Sequence, residues 1–141
     1  MPRRSHWFPL SVLMLLPSIA TAQPPSAVGA WATLDTGCNG GFTGGGNGVS
    51  LAANGHFIAW TQPTAGAPRD QTDLGIDKAI AVALTAALED ISFSNIEFDE
   101  RGNMTCSLTF RDHTVTWPIG NVEVPAAVVE IHERLMGVAR R

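Results

Sequence analysis

The sequence predicts an α+β fold: a small antiparallel β-sheet of about four to five strands, packed with one or two α-helices and carrying one disulfide. Three observations predict it. Short stretches alternate apolar and polar residues with the period of two expected of half-buried strands. Two longer stretches repeat apolar residues at the 3.6-residue helical period. The chain also holds only two cysteines, Cys38 and Cys106.

Along the chain, Trp31 to Leu34 reads as a first strand. Gly37 to Gly48 follows, with seven glycines in twelve residues around Cys38, Phe42 and Thr43. That density reads as a flexible loop. Gly48 to Leu51 and His56 to Trp60 read as two strands joined across Asn54-Gly55, a strong hairpin signal. Thr61 to Thr72 is a polar Pro/Gly loop. From Ile76 the period becomes helical, with Ile76, Ile80, Ala83, Leu84, Ala87, Leu88 and Ile91 on one face, and Asp73 or Asp77 suits the helix N-terminus. Met104, Cys106, Leu108 and Phe110 then alternate with Thr105, Ser107 and Thr109. Arg111-Asp112 is the turn, and His113 to Trp117 returns as the partner strand. Pro125 sits where a first-turn proline belongs. Val128, Ile131, His132, Leu135 and Val138 form the stripe of the last helix.

A chain of 141 residues is a prior for one domain. Its formal net charge is −4 with one lysine, Lys78, so it lacks the basic surface that sequence-independent nucleic-acid binding requires. Met1 to Ala22 reads as a secretory signal. Arg3 and Arg4 form the positive region, Trp7 to Leu16 the apolar region, and Ala20-Thr21-Ala22 the cleavage site. The apolar run is far shorter than the roughly 20 residues of a membrane span. Residues 23–30 read as a flexible leader and residues 31–141 as the single domain. The expectation is an exported protein, periplasmic or secreted, monomeric, and free of the membrane once the signal is cleaved.

Export favours a disulfide between Cys38 and Cys106 over a metal pair or a redox pair, because zinc sites take about four ligands and redox pairs sit as C-x-x-C. Catalytic constellations are not legible. His132-Glu133-Arg134-Leu135-Met136 begins like the zinc-protease motif H-E-x-x-H, but Met136 replaces the second ligand, so His132 reads as a half-buried helix residue. Ser50 lies in a stretch that only approximates a nucleophile elbow. His56 reads as exposed, His113 as facing the core or its rim, and Asp99-Glu100 as a solvated turn. The glycine run lacks both nucleotide-binding patterns. No cofactor, no metal site and no enzymatic activity are expected. Trp31, Trp60 and Trp117 read as core anchors. Phe42 differs, because glycine-rich backbone flanks it on both sides and no periodic pattern buries it. It reads either as a binding anchor presented by the loop or as a plug for the end of the core.

Gly40-Gly41-Phe42-Thr43-Gly44, the hairpin after it and the alanine/leucine helix ending in Ile91-Ser92-Phe93 are joined by Thr105-Cys106-Ser107-Leu108-Thr109, His113-Thr114-Val115 and a proline-led final helix. In these motifs the chain, from Cys38 to Gly137, resembles the emfourin-type inhibitors of thermolysin-family metalloproteases, the inhibitors of protealysin. The resemblance implies a small α+β protein that blocks the active-site cleft of a zinc protease and has no catalysis of its own. In that setting the partner-binding residues are Gly40, Gly41, Phe42, Thr43 and Gly44. Phe42 would enter the apolar pocket beyond the scissile position, and backbone groups of Gly40, Gly41 and Gly44 would pair with the cleft edge. The chain departs from the family in its signal sequence, its cysteine pair and its longer run Gly44-Gly45-Gly46-Asn47-Gly48. The other expectation is a non-catalytic exported interaction domain with a different protein partner.

Overall fold

The computed structural model describes residues 32–141. The expected signal sequence, the expected leader and Trp31 lie outside the described residues. Six strands form one antiparallel sheet: β1 (Ala32–Gly40), β2 (Gly46–Ala52), β3 (His56–Gln62), β4 (Asp70–Ile76), β5 (Met104–Phe110) and β6 (His113–Pro118), in the spatial order β4-β3-β2-β1-β5-β6. Two helices, α1 (Lys78–Asp90) and α2 (Ala126–Val138), complete the α+β architecture, with a short 3₁₀ turn at Phe93–Asn95.

The first four strands form a meander, and the chain then crosses by α1 to place β5 beside β1. β1 is therefore central, paired with β2 on one side and β5 on the other. The sheet has six strands where four to five were expected, and the added one is β4. Its sequence, Asp70-Gln71-Thr72-Asp73-Leu74-Gly75-Ile76, carries few strand-forming residues and is almost wholly exposed. It is a strand because β3 supplies a ladder for it, which no local propensity announces. Ile76 ends this strand and does not join the helix; it is 61% exposed. The glycine-rich stretch is likewise more ordered than a loop: β1 runs through Gly37 to Gly40 and β2 begins at Gly46.

One face of the sheet meets the helices. Leu34, Thr36, Val49, Leu51, Phe57, Leu108 and Val115 are buried there against Leu84 and Leu88 of α1 and Val128, Ile131 and Leu135 of α2. Asp77 caps α1 by accepting the Ile80 N–H at 3.0 Å, so the second of the two candidate caps is used. Ala83, expected on the apolar face, is exposed, and Ala81 packs on the core instead. Pro125 precedes α2 as its cap residue, one position earlier than expected.

The opposite face of the sheet holds Trp60 in a second packing arrangement. Gly37 of β1 and Gly48 of β2 are register partners, and Gly48 also pairs with Trp60 of β3. A Cβ on Gly37 would lie 2.4 Å from the Trp60 ring, and one on Gly48 2.3 Å from it. Two glycines side by side thus clear a floor on which the indole lies, and Arg69 stacks above it at 3.7 Å from the ring centroid. Trp60 Nε1–H donates to Asp35 at 3.2 Å, and the Ser50 hydroxyl donates to the same carboxylate oxygen. Trp60 is a packing residue as expected, but on the face away from the helices.

Candidate functional site

The turn between β1 and β2 carries all five residues expected to bind a partner. Gly40 N–H donates to Gly45 O at 2.9 Å, and Gly44 N–H to Gly41 O at 3.3 Å, closing the turn on itself. Gly45 N–H reaches Thr43 Oγ1 at 3.3 Å. Two neighbouring loops then grip it from the sides: Gly41 N–H donates to Asn103 O at 2.7 Å, and Ala65 N–H donates to Thr43 O at 2.9 Å. Gly40, at φ +139°, passes so close to Asn103 that a Cβ there would sit 2.1 Å from its carbonyl oxygen. Glycine here permits close packing between loops. The turn is a braced element rather than a flexible segment.

At its apex Phe42 is fully exposed, with a relative accessibility of 108%. Thr43 beside it is also exposed. The amide groups of Gly40, Gly41 and Gly44 point the other way in bonding terms: each N–H is engaged within the protein. What the turn offers outward is therefore side chain, above all the Phe42 ring, and not those three amide donors.

Cys38 and Cys106 face each other across β1 and β5 and form the disulfide, with Cα atoms 3.9 Å apart. The structure adds a residue that sequence reasoning left as an ordinary helix position. His132, buried on α2, sets Nδ1 2.7 Å from Thr36 Oγ1, while Nε2 lies 3.7 Å from Cys38 Sγ. The Thr36 hydroxyl donates its proton to Ser107 O at 2.6 Å, so it accepts from His132, which fixes the proton on Nδ1 and leaves a lone pair on Nε2 facing the sulfur. Burial holds this imidazole below the ordinary histidine pKa; Glu133 opposes the shift and Arg140 adds to it. The Trp117 ring meets the imidazole edge-to-face at 5.4 Å. Because His132 lies 96 positions from Thr36 and 94 from Cys38, no motif could join it to them.

The other polar candidates have separate partners. His56 Nε2 bonds Asp73 at 2.7 Å on the exposed β3–β4 edge, and that contact, with the Gly75 N–H, holds the Asp73 carboxyl below the usual range. His113 Nε2 donates to Ile96 O at 2.7 Å beside a shallow groove of about 320 Å³. Ser50 is bound to Asp35. These candidates thus form three separate pairs, His56 with Asp73, His113 with Ile96 and Ser50 with Asp35, rather than one serine–histidine–carboxylate set.

Comparison with protein-family models, with curated proteins and with solved structures finds no match for this chain.

Proposed function

We propose that this chain is an exported protein inhibitor that occupies the active-site cleft of a thermolysin-like zinc metalloprotease with its β1–β2 turn. The observation that carries the reading is Phe42, a large apolar side chain held wholly in water at the apex of a turn tied down by five hydrogen bonds. An aromatic side chain left in solvent forgoes the burial that would stabilise the fold. Bracing the turn that bears it removes the ordering cost a flexible loop would incur on binding. Together these are the properties of a preorganised anchor for a partner's pocket, and thermolysin-like clefts take bulky apolar residues. The disulfide suits an oxidising compartment. No helix among the described residues is long and apolar enough to cross a membrane.

The test is a titration of a thermolysin-type protease with the oxidised protein and its Phe42→Ala variant. Stoichiometric loss of activity without cleavage of the inhibitor is expected. Burying a phenylalanine ring contributes about 1.5–3 kcal/mol, so the variant should bind roughly ten- to a hundredfold more weakly. Its thermal stability should match the wild type, because the ring touches nothing in the fold. Inhibition that survives Phe42→Ala unchanged moves the site away from the turn. Absence of inhibition across several proteases of this class overturns the function.

A further inference from the structure

We propose that Cys38, Cys106 and His132 form a metal site in the reduced protein, one that takes a thiophilic divalent d¹⁰ cation such as Zn²⁺ and that the disulfide keeps closed. The ligating atoms of these three residues lie within 4.8 Å of one another. Zinc bonds of about 2.3 Å to sulfur and 2.0–2.1 Å to nitrogen place the two ligand atoms about 3.6 Å apart at a tetrahedral angle. The observed separation of His132 Nε2 from Cys38 Sγ is 3.7 Å. The imidazole therefore needs little movement to become a ligand.

The arrangement behind the imidazole is that of a metal-binding histidine. Such residues hold their second ring nitrogen in a hydrogen bond, which sets the tautomer and the ring orientation. Here Ser107 O accepts from Thr36, and Thr36 accepts from Nδ1–H, so the free lone pair is on Nε2 and is turned to the cysteines. Charge points the same way. Cys106 and His132 are buried among apolar side chains, where one thiolate would be costly. Two thiolates, one imidazole and one dication sum to a neutral group.

A dithiol donates two electrons, becomes a disulfide, and leaves Cys38 and Cys106 as thiols. Zn²⁺ then displaces both thiol protons to solvent and receives the Nε2 lone pair, with no change in its own oxidation state. Two thiolates and one imidazole leave a fourth position for water. Cys38 is half-buried and Cys106 buried, so Cys38 is the sulfur nearer to solvent.

The experiment is anaerobic. The protein is reduced with a dithiol, freed of it, and titrated with Zn²⁺ against a chromogenic chelator. One Zn²⁺ per reduced chain and none per oxidised chain are expected, with His132→Gln at least a hundredfold weaker. X-ray absorption of the zinc-loaded wild type provides a readout that needs no variant, and two sulfur ligands and at least one imidazole nitrogen are expected. A reduced wild-type chain that binds no Zn²⁺, folded or not, overturns the proposal. So does a zinc shell without nitrogen, or equal affinity in His132→Gln.

Discussion

Replacing Thr36 with valine keeps the shape of a fully buried side chain and removes its hydroxyl, which makes it a clean test of the bond chain joining β5 to α2. Thr36 is 0% exposed, and its oxygen both donates to Ser107 O and accepts from His132 Nδ1–H. In Thr36→Val the histidine keeps its place, but either tautomer leaves one ring nitrogen without a good partner. An unsatisfied buried donor costs about 1–3 kcal/mol, and the lost bond to Ser107 adds about 0.5–1.5. The extra buried methyl returns about 0.8 kcal/mol. The net loss should be about 1–4 kcal/mol, equivalent in a domain of this size to a fall in melting temperature of roughly 5–25 °C. Urea unfolding of the oxidised protein at pH 7.5 measures it through the midpoint at constant slope. Thr36→Ser, which keeps the hydroxyl and loses a methyl, should cost only about 1 kcal/mol. A change under 0.5 kcal/mol for Thr36→Val, or a larger cost for Thr36→Ser, would refute the reasoning.

Three further outcomes follow from the same structure. His132 is buried with its pKa held below the ordinary 6.5, so on acidification the unfolded chain takes up this proton first. Its contribution is present above pH 6.5 and is lost as pH falls towards the folded value, by up to about 1.4 kcal/mol between pH 7.5 and 5.5. Urea midpoints at the two pH values, with His132→Gln as the reference, check this; an identical pH dependence in both proteins would sink it. Reducing the disulfide, whose cysteines are 68 positions apart, should lower stability by roughly 4 kcal/mol in metal-free buffer, and an unchanged urea midpoint would contradict that. Gly48→Ala drives a methyl to 2.1 Å from Thr36 O and 2.3 Å from the Trp60 ring, so it should cost about 1–3 kcal/mol and alter the near-ultraviolet dichroism of the indole. An unaltered spectrum with native stability would show that Trp60 does not rest on this glycine.

Periodicity was enough to locate the helices and the β5–β6 hairpin, because the alternation through Met104–Phe110 and the repeat through Val128–Leu135 record which side of each element is buried. The pairing of Cys38 with Cys106 was also legible, since it rests on residue type and compartment, whereas the sequence singled out Phe42 without deciding between exposure and burial, and the structure leaves it in solvent. Only the tertiary structure decided the rest. β4 exists through its ladder to β3, and Gly37 and Gly48 are glycines because an indole from a third strand lies over them. The turn is braced because Asn103 and Ala65 bond to it from other loops. His132 is aimed at the disulfide by a threonine 96 positions away. In each case the deciding partner is remote in sequence, and local composition carries no record of a contact that exists only once the chain has closed on itself.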